Sequence, residues 1–77
     1  PNPFAVETSF EILLQNAAPA HLEVFDLHGR LIFHDRYDLD KGLQTLLLPA
    51  SALSGQGVYV YKLKVGEVVS SGRLVRI

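Results

Sequence analysis

The stretch Gly57-Val58-Tyr59-Val60-Tyr61-Lys62-Leu63-Lys64-Val65-Gly66-Glu67-Val68-Val69-Ser70-Ser71-Gly72-Arg73-Leu74-Val75-Arg76-Ile77 decides the fold. Both halves are rich in β-branched and aromatic residues, which fit a pleated, half-buried surface. Period two places Tyr59, Tyr61, Leu63 and Val65 on one side, and Val58, Val60, Lys62 and Lys64 on the other. Gly66-Glu67 suits a two-residue type II′ turn, which takes glycine first. That turn fixes a register in which Tyr59 faces Leu74, Tyr61 faces Gly72 and Leu63 faces Ser70. The Tyr61 ring then covers a glycine that has no side chain of its own. Two strands, 58–65 and 68–77, therefore close the chain as a hairpin.

Upstream, the same grammar repeats. Residues 9–15 carry Phe10, Ile12 and Leu14 on one face. Residues 21–26 and 30–37 flank Asp26-Leu27-His28-Gly29, with Asp first and Gly fourth in a type I turn. A left-handed glycine at the fourth position completes a three-residue hairpin loop. Asp26 can accept hydrogen bonds from the turn backbone. The expected register sets Asp26 against Arg30 as a charge pair at the hairpin mouth. It sets Phe25 against Leu31, Val24 against Ile32, and Leu22 against His34. Residues 44–48 make a further strand ending at Pro49. Pro49-Ala50-Ser51-Ala52-Leu53 then makes one helical turn with proline at its start. Val6 and its neighbours add a seventh, edge strand.

Strands at this spacing, with no helix-length amphipathic window, indicate an all-β sandwich or barrel. The expected core is Leu22, Val24, Ile32, Leu46, Leu53, Tyr59 and Leu74. Phe25, Leu31 and Phe33 are apolar as well. Either their side is the core and the faces are exchanged, or a partner covers it.

Composition bounds the function. The chain has 77 residues, 48% hydrophobic and 19% charged, too apolar for a disordered tail. Its 7 Lys and Arg against 8 Asp and Glu leave a net charge of −1. No overall basic field exists to hold phosphates, so no nucleic-acid partner is expected. With no cysteine, disulfides, thiolate chemistry and thiolate zinc sites are excluded. No apolar run is long enough to span a bilayer as a helix. The opening Pro1-Asn2-Pro3-Phe4 is turn-like, without a basic or apolar leader pattern, so the chain is expected to continue a larger protein.

Chemistry-bearing constellations are absent from the sequence. In the expected register His34 and His21 lie on opposite faces and His28 in a turn, so the three do not converge on a metal. Asp38-x-Asp40 before Gly42 lacks the later ligands of a calcium loop and reads as a polar turn. Ser51, Ser54, Ser70 and Ser71 have no evident base partner, and no nucleophile elbow, phosphate loop or zinc-protease helix occurs. The chain is expected to be neither an enzyme nor a cofactor carrier.

Four segments in order carry a family resemblance. They are Pro1-Asn2-Pro3-Phe4, the hairpin Leu22-Glu23-Val24-Phe25-Asp26-Leu27-His28-Gly29-Arg30, the strand Gly57-Val58-Tyr59-Val60-Tyr61-Lys62-Leu63, and the closing Gly72-Arg73-Leu74-Val75. Together they resemble the type A C-terminal sorting domain of the type IX secretion system of Bacteroidetes. The resemblance implies an immunoglobulin-like antiparallel β-sandwich of six or seven strands over 1–77, forming the end of a larger secreted cargo. It implies a C-terminal secretion signal, read by the type IX outer-membrane translocon and its shuttle proteins. A sortase-like cysteine peptidase would then remove it. The cargo would pass through the periplasm and outer membrane to the cell surface or the medium. The alternative is an accessory immunoglobulin-like module for adhesion or carbohydrate binding, since sandwiches host many roles.

The recognition residues implied are Pro1, Asn2, Pro3, Asp26, Gly29, Arg30, Gly57, Tyr59, Leu74 and Val75. Most have plain structural readings as turn or core chemistry. Lys62, Lys64 and Arg73 share a face of the last hairpin and would meet an acidic partner surface. The last strand is expected to offer unpaired backbone groups for strand addition by a partner, or for a weak homodimer.

Overall fold

The computed structural model describes residues 2–77 and contains six strands. They are β1 (Glu7–Leu14), β2 (Ala18–Phe25), β3 (Leu31–Leu39), β4 (Gly42–Pro49), β5 (Gly57–Val65) and β6 (Val68–Arg76). All strand pairs are antiparallel: β1 with β4 in one sheet, and β3-β2-β5-β6 in the other. The two sheets pack face to face as an immunoglobulin-like β-sandwich. Pro49 leads into a single 3-10 turn, Ala50–Ala52, where one helical turn was expected. Val6 lies outside every strand. The seventh segment is instead an isolated parallel bridge from Phe4 to Arg76.

Alternation builds the core. From the large sheet come Ala20, Leu22 and Val24 of β2, Leu39 of β3, Tyr59 and Leu63 of β5, and Leu74 of β6. The small sheet supplies Leu46 and Leu48, and the connections add Phe4, Ala50 and Leu53. Burying each large side chain contributes roughly 1.5–3 kcal/mol. Six of the seven expected core residues are buried, and Ile32 packs against them half-buried. Phe10 meets the Tyr61 ring edge-on across the sheets at 4.9 Å between centroids.

The last hairpin has the expected register throughout: Tyr59 with Leu74, Tyr61 with Gly72, Leu63 with Ser70. Gly66 has φ +58° and no other residue type has positive φ, so only the first turn position is left-handed. That combination is the type II′ turn.

The first hairpin departs from expectation. Phe25 faces Leu31 as expected, but Val24 faces Phe33 and not Ile32. The extra residue on β3 is a β-bulge. Its cause is the run Leu31-Ile32-Phe33, which cannot alternate. The bulge lets both Ile32 and Phe33 reach the core while Leu31 stays 48% exposed. The faces are not exchanged: Phe33 packs against the core, and Phe25 and Leu31 lie on the outer side.

The slip carries through the strand. Leu22 faces Asp35, not His34, and His34 faces Glu23. Asp35 therefore sits on the inner side of edge strand β3, yet exposed. An inward-pointing charge is a known way to protect a sheet edge from pairing with other chains. Partial burial first, and the charge of Asp35 second, raise the Tyr37 phenol above its ordinary pKa.

Candidate functional site

The expected recognition residues fall into three groups. The first is the Asp26–Gly29 turn. Gly29 donates its N–H to the Asp26 carbonyl at 3.1 Å and has φ +84°, the left-handed position the turn requires. Asp26 Oδ1 accepts the N–H of His28 at 2.8 Å and of Arg30 at 3.0 Å. Its Oδ2 accepts from Arg30 Nε at 2.7 Å. The Asp26 side chain is only 13% exposed. That desolvation pushes its pKa up. The Arg30 backbone N–H, the Arg30 side chain and the His28 N–H outweigh it, and the carboxyl sits below its ordinary value.

The second group gathers at the open end of the β5–β6 ribbon. Gly57 enters β5 with φ +138° opposite Arg76. Tyr59 is buried, and its hydroxyl donates to the Gly55 carbonyl at 2.8 Å. Leu74 faces it from β6, and half-buried Val75 faces Val58. Asn2 completes the end. Its Nδ2 donates to the Arg73 carbonyl at 2.8 Å, and its Oδ1 accepts from Val75 N–H at 2.7 Å. Phe4 continues the pattern, donating to the Val75 carbonyl and accepting from Ile77 N–H, both at 2.9 Å. Pro3 lies exposed between them, while Pro1 falls outside the described residues. Because Phe25 pairs with Val60, the Asp26–Gly29 turn projects from this same end of the sheet.

This geometry corrects the edge-strand expectation. From Arg73 to Ile77 the outer edge of β6 is already taken by residues 2–4. The Asn2 side chain amide stands in for a strand's own N–H and C=O. Only the first half of β6, toward Val68, keeps an edge clear of that segment.

The third group is Lys62, Lys64 and Arg73, which share the outer face of the large sheet as expected. His21 and His34 also share that face, correcting the expectation that they point apart. The bulge is the reason, since it moves His34 from opposite Leu22 to opposite Glu23. Among the described residues no group of three His, Asp or Glu side chains is placed to hold a metal ion. No helix among the described residues is long and apolar enough to cross a membrane.

Sequence reasoning named Asn2 but not its contacts, and it missed Arg36. Asn2 was read within a turn, yet it bonds two backbone groups more than seventy positions away. Arg36 joins the outer face only through the bulged register, which no local motif announces.

These elements form an antiparallel sandwich whose terminal ribbon is covered along part of its outer edge by residues 2–4. The family model described as "Secretion system C-terminal sorting domain" matches residues 1–76. The chain belongs to that family, the C-terminal sorting domains of type IX secretion, which is not an enzymatic family. No curated protein and no solved structure matches the chain. Membership makes it a type IX sorting signal, associated with export to the cell surface or secretion in Bacteroidetes.

Proposed function

We propose that this chain is the C-terminal module of a larger cargo, delivering it through the type IX outer-membrane translocon before a sortase-like cysteine peptidase removes it. The family match over residues 1–76 carries this reading. The structure supports it by presenting a folded label. Fold-determining motifs and exposed motifs meet at one end of the large sheet, where the Asp26–Gly29 turn, Gly57, and the Asn2 contacts to β6 lie together.

In this reading the machinery recognises shape, not an extended peptide. Leu74 and Tyr59 act through the core, holding the ribbon in register. Asp26, Gly29 and Arg30 hold the turn that projects beside it. Asn2 and Pro3 place the incoming chain against β6, which positions any upstream cleavage segment at the same end. Strand addition would use the Val68 half of β6, or would first displace residues 2–4.

The test fuses the 77-residue chain to the C-terminus of a periplasmic reporter in a type IX-competent host. Surface or medium delivery, with loss of the domain from the delivered reporter, is the expected result. A reporter that stays periplasmic overturns the sorting role. Delivery with the domain still attached overturns removal alone.

A further inference from the structure

We infer that the outer face of the four-stranded sheet is a docking surface for an acidic protein surface. The inference rests on the sorting reading for its biological setting, since the partner would belong to the export machinery. Its physical basis is independent of that setting.

The register sets Arg36 opposite His21 and His21 opposite Lys64, a row across three adjacent strands. The next row is His34, Glu23 and Lys62. Arg73 extends the face on β6 opposite Val60. Neighbouring strands lie about 4.8 Å apart, so the sheet is roughly 15 Å wide and the groups are crowded. The face holds four of the 7 Lys and Arg residues but, in Glu23 and Asp38, only two of the 8 carboxylates. With histidines neutral its formal charge is +2 on a chain of −1, which leaves the remainder at −3. The domain is electrically polarised.

Lys62 and Lys64 share this face two positions apart on β5, and Arg73 lies diagonal to Lys62. Of the four cations only Arg36 has a carboxylate within ion-pair distance among the described residues. The ion pairs among the described residues are Asp26 with Arg30 and Arg36 with Asp38. Lys62, Lys64 and Arg73 make none, and Glu23 stays beyond ion-pair distance of Lys62. A purely solvated face is served better by interspersed charges of both signs. An acidic partner complements these cations and steers encounter.

The pattern favours a protein over an anionic lipid surface. Lipid headgroups present a uniform negative field, attractive to uninterrupted Lys and Arg. Glu23 sits at the centre of this face, between His34 and Lys62, and needs a donor or cation opposite it. Phe25 and Val60 add an apolar strip beside Arg73. A patterned protein surface can match all of these features.

The test has two arms. In the first, Arg36→Glu, Lys62→Glu, Lys64→Glu and Arg73→Glu are combined in the reporter fusion. Like-charge juxtaposition costs several kcal/mol, so surface delivery should fall at least roughly tenfold. Circular dichroism and thermal melting of the variant chain establish that it is folded. If the fourfold variant fails to fold, Lys62→Gln with Lys64→Gln replaces it, with a severalfold loss expected. Delivery equal to the unmodified fusion overturns the docking face and leaves the sorting role intact. In the second arm, amide chemical shifts of the unmodified chain are followed during titration with a short polyglutamate peptide, and separately with phosphatidylglycerol vesicles. Salt-sensitive shifts confined to His21, Glu23, His34, Arg36, Lys62, Lys64 and Arg73 support the proposal. Shifts dispersed over the molecule, or binding to vesicles without binding to the peptide, overturn it. Should the unmodified fusion not be delivered, the sorting role falls and the second arm alone decides the face.

Discussion

Hairpin β2–β3 has five residues between its strands, closes its mouth with a carboxylate, and absorbs an extra residue in a bulge. Hairpin β5–β6 turns through two residues and pairs without interruption from Val65–Val68 to Gly57–Arg76. The first leaves an edge strand defended by an inward-facing Asp35. The second leaves an edge covered by residues 2–4 from Arg73 to Ile77. The difference is one of where order comes from. The first hairpin is organised locally, by Asp26 and its neighbours. The second depends on distant groups: Phe10 against Tyr61, and Asn2 and Phe4 against β6.

The sharpest way to break that comparison is to remove one core side chain from each hairpin. Leu74 is 3% exposed and faces Tyr59, whereas Ile32 sits half-buried at the bulge. Leu74→Ala should cost about 2–5 kcal/mol. A chain of this size has roughly 4–12 kcal/mol in total, so the variant should be substantially unfolded on warming. Ile32→Ala should cost distinctly less, because its cavity opens to water. Denaturant melts of both variants make the check, and equal losses would mean that the bulge is packed as tightly as the terminal ribbon.

Gly72→Ala comes next. A methyl there would lie 2.8 Å from Tyr61 Cε2 and 2.9 Å from its hydroxyl oxygen. The ring must tilt against Phe10, and overpacking of this kind costs about 1–3 kcal/mol. In a Tyr61→Leu background the same methyl should cost much less. A double-mutant cycle with no coupling would reject the ring-over-glycine account.

These two hairpins also show how far the sequence could be read. Gly66-Glu67 fixes a register by turn geometry alone, and every pair derived from it is present in the structure. Asp26-Leu27-His28-Gly29 was equally clear as a turn, and its hydrogen bonds are those expected. Beyond the turn the reading failed at one residue. Three consecutive apolar residues, Leu31-Ile32-Phe33, fit either face, and only tertiary demand for Phe33 in the core chooses the bulge. That choice moved His34 and Arg36 relative to β2 and so hid the cationic face. The Asn2 contacts were illegible for another reason: a side chain amide bonding across the whole chain length leaves no periodic trace.

A smaller effect is expected at the covered edge. Asn2→Ala removes two hydrogen bonds to β6, each worth about 0.5–1.5 kcal/mol net, with water replacing part of that at an exposed site. A loss near 1 kcal/mol is expected. The Val75 amide should exchange markedly faster with solvent, while amides in β2 should be little changed. Unchanged exchange at Val75 would show that Phe4 alone holds the segment.

The smallest effect tests the locally organised hairpin. Asp26 has a lowered pKa in the folded chain because Arg30 and the turn N–H groups favour its charged form more than desolvation disfavours it. A group of this kind stabilises the fold above its ordinary, unfolded-state pKa. The contribution fades as pH drops through the folded-state value, where the native carboxyl also takes up its proton. Arg30 is 75% exposed, so solvent screens the pair and the contribution is modest. Asp26→Asn removes the titration while keeping an oxygen that can accept from His28 and Arg30. Thermal midpoints of the two chains should therefore differ at neutral pH, with the unmodified chain higher, and approach one another in acid. A constant gap across the whole range would mean that the carboxylate acts through shape and not through charge. In that case the turn of β2–β3 would be held by backbone geometry, as the turn of β5–β6 is.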